Sequence, residues 1–213
     1  MGRTIMGTDR AGLRLTPLEA DIPSDRGSMD NASIPTDLSI STARLRLQWL
    51  SPTAIRGLLD GSVGDVGGAT VTEAWLAAMA PRLRMRLEQI ARDPRRAPFL
   101  LRAMIDCRSL RLVGHVGFHG PPGSNALGAA DALELGYGVE VAARRKGYAT
   151  EAAVGMIEWA EREHDIHRYL ASVGPWNVAS LGLVRKLGFS EVTRVLDEED
   201  GEEIVFELRR ERP

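Results

Sequence analysis

The stretch VEVAARRKGYATEAA, residues 139–153, passes from strand-like alternation to helical periodicity and gathers Arg144, Arg145, Lys146 and Gly147 at the joint. The start of a helix leaves its first backbone N–H groups without partners and carries the positive end of the helix dipole, so anions settle there. A phosphate is the guest this chemistry suits. Gly147 lets the backbone approach a guest closely or take a conformation that a side chain forbids, and small Ala149 keeps the first turn open. Thr150 and Glu151 follow; an acid in the first turn suits the dipole of any helix. The alternative is a basic joint that is plain surface.

Other residue types with chemistry are scattered. His115 and His119 lie at even spacing on one strand and so on one face, which makes His119 at most a second base, with a structural or surface role as the commoner alternative. His164 and His167 sit around a helix end, where a cation suits the dipole. No His or carboxylate spacing suggests a metal. Cys107 is the single cysteine, which excludes an internal disulfide and a cysteine metal cluster; as a nucleophile it is poorly placed in a turn. Arg82, Arg84 and Arg86, followed by Arg92, Arg95 and Arg96, would suit an acidic acceptor or partner, or form a solvated face.

The 213 residues fit one domain with appendages, or at most two small domains, and are long enough for a real core. A net charge of −2 and a pI near 6.1 argue against a general nucleic-acid binder, so any anion site is local. All basic residues but Lys146 and Lys186 are arginine, a bias expected of a GC-rich, bacterial genome. No run of eighteen apolar residues offers a membrane span, and the N-terminus lacks a signal-peptide core. A cytoplasmic protein is expected.

Residues 1–40, rich in Asp, Ser, Pro and Gly, read as a flexible or loosely docked extension, with Met6 and Met29 as alternative starts. Residues 41–213 form the domain. TARLRLQWL alternates as a strand, SPTAIRGLLDG reads as a helix capped by Ser51 and closed at Gly61, and GSVGDVGGAT is a glycine-rich loop without the lysine of a P-loop. Residues 72–92 suit a helix interrupted near Pro81. PFLLRAMID and RLVGHVGFHG make a hairpin, and ALELGYGVEV is a further strand. A helix over about 147–164, the strand HRYLASV, a helix capped by Asn177 and closed near Gly188, and the strands SEVTRVLD and EEIVFELRR complete a mixed α/β domain.

The Arg144-x-x-Gly147-x-Ala149 spacing, the preceding ELGYGVE strand and the later NVASLGLVRKLGF together resemble the GCN5-related N-acetyltransferases. Within them they are similar to the ribosomal-protein N-terminal acetyltransferases of the RimJ and RimL kind. The resemblance spans about residues 42–210 and is sharpest from Glu134 to Phe189. It implies a single α/β domain, a mixed, mostly antiparallel, splayed seven-stranded sheet flanked by helices, with acetyl-coenzyme A between ELGYGVEV and HRYLASV. Its pyrophosphate would meet the backbone N–H groups of about Arg145 to Thr150, Tyr148 and Ala149 among them, with Arg144, Arg145 and Lys146 at the rim. The pantetheine arm would run beside Val139 and Val141, and Asn177 would touch it as well as cap its helix.

The chemistry so implied is attack of a neutral amine on a thioester, which needs a base, an oxyanion donor and an exit for thiolate. The resemblance places Glu134 as general base with Glu140 in reserve, and a backbone N–H near Val139 at the oxyanion. Where many relatives carry a tyrosine to protonate the thiolate, this chain has Val184, and Ser180 could hydrogen-bond the sulfur instead. The expected partners are an amine acceptor, a peptide N-terminus or a small molecule, and a possible homodimer, without nucleic acid, membrane or metal. The alternative is a coenzyme-binding sensor or scaffold without turnover.

Overall fold

The computed structural model describes residues 38–197 and 201–212, all within one compact unit, Ile34–Pro213. The expected extension lies outside the described residues except at its end, where Ile40 is buried in a strand.

In chain order the elements are β1 (Ile40–Ser41), β2 (Leu45–Trp49), α1 (Pro52–Asp60), β3 (Asp65–Val66), β4 (Ala69–Thr70), α2 (Glu73–Arg92), β5 (Arg102–Asp106), β6 (Arg111–Phe118), β7 (Ala132–Val139), α3 (Tyr148–His164), β8 (Arg168–Val173), α4 (Val178–Lys186), β9 (Ser190–Asp197) and β10 (Gly201–Arg209). The sheet runs β1-β2-β5-β6-β7-β8-β10-β9, and only β7–β8 is parallel. The seven expected strands all form. β1 adds a short eighth at the edge, and the glycine-rich loop closes into its own hairpin, β3–β4.

The local signals that hold are physical ones. Leu45, Leu47 and Trp49 bury one face of β2, and α1 starts at Ser51, whose side chain accepts the Ala54 N–H at 3.1 Å. α2, however, runs unbroken through Pro81. The proline removes the bond to the Ala77 carbonyl at a cost of about 3 kcal/mol. Trp75 and Met79 before it and Leu83 after it all enter one apolar layer with Ile55 and Leu58 of α1 and Ile105 of β5. Each such burial contributes about 1.5–3 kcal/mol, so packing outweighs the break.

A second difference lies at Pro98–Leu101, expected as strand but irregular, so that β5 starts at Arg102. The fully buried Arg102 guanidinium explains it by donating to the carbonyls of Leu38, Pro98 and Leu100, with its carbon 4.4 Å from the Trp159 ring centre. Those carbonyls are turned to the cation rather than to a strand.

α1 and α2 cover one face of the sheet. α3 covers the other, with Ala152, Ala153, Met156 and Ala160 against Val116, Phe118, Leu133 and Leu135. β7 pairs with β6 from Leu135 to Val139, but with β8 only over Ala132–Glu134. Past Glu134 the parallel strands part, and the sheet opens as a V.

Candidate active site

The turn that leads from β7 into α3 bends twice through the left-handed region, at Arg145 (φ 59°) and Gly147 (φ 82°). Gly147 is the N-cap of α3 and offers no side-chain bond; the first bond of the helix runs from the Glu151 N–H to the Gly147 carbonyl at 3.1 Å. The N–H groups of Tyr148, Ala149 and Thr150 therefore point out of the helix start unused. Arg144, Arg145 and Lys146 stand exposed around them.

The acid in this first turn does not compete for the same N–H groups. Glu151 accepts from the Thr42 hydroxyl, the Arg44 N–H and Arg44 Nε, each at 2.6 Å. Burial pushes its pKa up, but these hydrogen bonds and the Arg44 charge hold it below the usual range. Arg44 also donates to the Lys146 carbonyl at 2.9 Å and lies 5.0 Å from the Tyr148 ring centre. The Tyr148 hydroxyl donates to Asp106, and that bond is the main cause of an Asp106 pKa of about 2. The Tyr148 side chain is thus committed elsewhere, and only its backbone faces the turn.

β7 carries an open edge toward this turn. The His119 N–H bonds the Glu134 carbonyl and the Glu140 N–H bonds the Val113 carbonyl, so even-numbered residues face β6. By the alternation of an antiparallel ladder, Leu135, Tyr137 and Val139 turn their N–H and C=O groups into the V. Arg144 Nε takes the Val139 carbonyl at 3.1 Å. Val141, expected to extend this strand, instead begins a single 3-10 turn, Val141–Ala143, and is 75% exposed. The Glu140 N–H ends the ladder on β6, and the chain must turn there to reach α3.

A cavity of about 850 Å³ fills the V. Leu135, Gly136 and Tyr137 form one wall and Ala171, Ser172 and Val173 the other, with Arg82 and Arg86 from α2 and Asn177 and Ser180 from α4 at its sides. Asn177 Oδ1 accepts the Ser180 N–H at 3.1 Å, so the expected cap is formed and the residue lines the cavity as well. The Tyr137 hydroxyl is buried with no hydrogen-bond partner. Burial pushes its pKa up; the Ser180 hydroxyl lies near enough to oppose this, short of a full hydrogen bond. Val184 is wholly buried in the core, away from any such role.

At the narrow end Glu134 is 3% exposed. Its Oε1 accepts from the Ser172 hydroxyl and its Oε2 from the Ala126 N–H, both at 2.6 Å, and His119 Nδ1 stands 3.6 Å from Oε1. His119 opens on the cavity with 45% of its side chain exposed. Enclosure by the cavity walls lowers its pKa, Glu134 pulls the other way, and Arg86 and Arg82 lower it further. His115 lies on the same face, its pKa lowered to about 4 by burial and the same two arginines. Gly138 makes room for it: a Cβ there would come within 2.4 Å of the His115 ring.

Four residues singled out by sequence lie apart. Cys107 and Glu140 are exposed outside the cavity, His164 packs on Phe99 and Trp159 at 4.7 Å, and His167 bonds Asp165. The sequence reading missed Tyr137 as a polar group and Ser172 as a partner of Glu134. Alternation along β7 marks only the face of Tyr137, and the Ser172 contact crosses the β7–β8 junction.

The family model for the acetyltransferase (GNAT) domain matches residues 46–190. This chain belongs to the GNAT acetyltransferase family. The N-acetyltransferase YjdG of Bacillus subtilis is 36% identical over 78 residues, 37% of this chain and 44% of YjdG, and YnaD of the same organism is 32% identical over 77 residues, 42% of its length. The chain thus matches less than half the length of these relatives. Among solved structures, the ribosomal-protein-S5-alanine acetyltransferase of Vibrio fischeri has a TM-score of 0.53 at 14% identity, covering 82% of this chain and 98% of that one. RimL, the ribosomal L7/L12 alpha-N-protein acetyltransferase, gives 0.54 at 12%, covering 82% and 94%. These two share the GNAT fold with this chain. Among the described residues no helix is long and apolar enough to cross a membrane, and no group of three His, Cys, Asp or Glu is arranged for a metal.

Proposed function

We propose that this chain transfers an acetyl group from acetyl-coenzyme A to a primary amine. The observation that carries the reading is that the unpaired edge of β7 runs from the cavity in the V, at Leu135 and Tyr137, toward the turn that opens α3 with uncapped N–H groups. An anion held by backbone N–H groups, an extended polar arm on a strand edge and a reactive end in a cleft match acetyl-coenzyme A part by part. When bound, it supplies an activated thioester.

The residues of the chain supply the rest. The N–H groups of about Arg145 to Thr150, with Arg144, Arg145 and Lys146 around them, would hold the pyrophosphate, and the β7 edge up to Val139 together with Asn177 would meet the arm, Val141 having left the strand. The donor for the oxyanion is an edge N–H of β7 beside His119, that of Leu135 or Tyr137, rather than the expected Val139, which lies at the α3 end of the strand. Both Glu134 oxygens are engaged and the group is closed to solvent, so it reaches a substrate proton through His119. His119, neutral because its pKa is lowered, accepts the ammonium proton; Glu134 behind it positions the ring and stabilises the imidazolium. Ser180, with the Tyr137 phenol beside it, is the donor for the leaving thiolate.

Calorimetric titration with acetyl-coenzyme A, followed by thiol release against a panel of amines and short N-terminal peptides, tests this. Binding with turnover supports it. Absence of binding overturns the coenzyme reading, and tight binding without turnover on any acceptor puts a sensor or scaffold in its place.

A further inference from the structure

We propose that the acceptor carries an anionic group, a carboxylate or a phosphate, close to its amine, and that Arg82 and Arg86 hold it. The inference rests on the acetyltransferase reading and names its substrate class. α2 is two-sided: Trp75, Met79, Leu83 and Ile90 bury one stripe, while Arg82, Arg86 and Gln89 turn a second stripe to the cavity. Spacings of four and three residues put these three on one face.

The charge on that stripe is not neutralised. Among the described residues no carboxylate pairs with Arg82, Arg86 or Arg96, whereas Arg92 and Arg95 of the same segment pair with Glu88 and Asp93. Arg86 is half-buried; Nη1 donates to Gln89 at 2.8 Å, and its buried Nε has no partner. Burial is the main reason that its pKa is lowered to about 10, and the neighbouring charges of Arg82 and Arg96 lower it further. His115 and His119, on the same side of the cavity, cannot offset them. The acids at this cavity are placed elsewhere: Glu134 at the narrow end is held by Ser172 and Ala126, and Glu203 belongs to β10, in the other half of the sheet.

A neutral acceptor would leave the repulsion in place, and a cationic one would add to it. An anion relieves it, and the guanidinium fork fits a carboxylate or phosphate with two parallel hydrogen bonds. The coenzyme phosphates are not the natural guest, since their turn opens α3, which packs on the opposite face of the sheet from α2.

The test is equilibrium binding to protein saturated with coenzyme A, repeated without it, using matched probes. The peptide Ala-Asp-Glu-Phe is set against Ala-Asn-Gln-Phe, and O-phosphoethanolamine against ethanolamine. The acidic member of at least one pair should bind roughly tenfold more tightly, a preference that weakens as salt rises. Whichever pair shows it tells a peptide source from a small molecule. Arg82→Gln and Arg86→Gln should each erode the preference while leaving acetyl-coenzyme A affinity unchanged, and Arg86→Lys should retain part of it. Equal binding of acidic and neutral probes overturns the inference, as does a preference that survives the double Gln variant. So does a loss of coenzyme affinity in the Gln variants. If wild-type protein fails to bind acetyl-coenzyme A, the enzyme reading falls, while the probes still decide whether the arginines recognise anions.

Discussion

Replacing Glu134 with Gln alters the inner end of the cleft without changing its volume. The carboxylate accepts the Ser172 hydroxyl and the Ala126 N–H, both at 2.6 Å. Gln offers one acceptor and one donor. Its oxygen can keep the Ala126 N–H while its amide turns to Ser172, whose hydroxyl reverses from donor to acceptor. Both contacts survive without charge assistance, a loss of about 1–2 kcal/mol. For a chain of this size that lowers Tm by roughly 2–8 °C. The imidazolium that forms at His119 loses its partner 3.6 Å away. Unit charges at that distance attract by about 4–5 kcal/mol at an effective dielectric of 20. His119 is 45% open to solvent, which reduces this to about 1–2 kcal/mol, or roughly a five- to thirtyfold fall in kcat. His119→Ala, which removes the base itself, should cost about 10²- to 10⁴-fold. The carboxylate favours the charged imidazole, so its loss lowers the His119 pKa further and moves the acid limb of kcat to lower pH. Thiol release at saturating acetyl-coenzyme A, followed across pH, reads both effects. A purely structural Glu134 would lower Tm and leave the acid limb where it was; that result, with kcat unchanged, refutes the His119–Glu134 assignment.

Gly147→Ala forces a side chain into a φ of 82°, with its Cβ 3.3 Å from Arg44 Nη2. A left-handed residue costs about 1–2 kcal/mol, so calorimetry should show acetyl-coenzyme A affinity down by roughly tenfold, with wild-type affinity as the contrary result. Arg102→Met leaves the carbonyls of Leu38, Pro98 and Leu100 without their donor and should lower urea stability by about 3 kcal/mol or more; a loss below about 1 kcal/mol would show that water replaces the guanidinium. His115, with a folded pKa of about 4 against 6.5 unfolded, favours the folded state fully above the unfolded value, and that stability is lost as pH falls from 6.5 toward 4. About 2 kcal/mol should be gone by pH 5, and His115→Gln should flatten that part of the urea stability profile; an unaltered slope would mean that the histidine is not buried neutral.

What the sequence made legible was local. A period change with Gly147 at the joint announces the start of α3 whatever surrounds it, and alternation finds β2 and β7 because each has one buried face. The misses are long-range. Pro81 reads as a break until α1 and β5 are there to bury Trp75, Met79 and Leu83 together. Phe99 to Leu101 read as strand until the buried Arg102 claims the carbonyls around them. His115 and His119 could be put on one face by parity, but their place over Gly138 and Gly136 comes from the β6–β7 register. The pairing of Glu134 with Ser172 crosses thirty-eight residues of chain.

The split sheet and the chemistry share one cause. β7 commits its even-numbered backbone groups to β6, and β8 stops pairing with it after Glu134. The outward groups of Leu135, Tyr137 and Val139 then form an edge in the middle of a sheet, and buried backbone groups need partners. At an outer edge such a row invites another strand. Here β8 diverges from the same point, so the gap is a wedge, too narrow at Glu134 for a strand with side chains on both faces. A thin chain with amide groups and no side branches fits such a wedge and reaches its narrow end, where His119 stands before Glu134. The geometry that deprives β7 of a strand therefore also selects the shape of what replaces it.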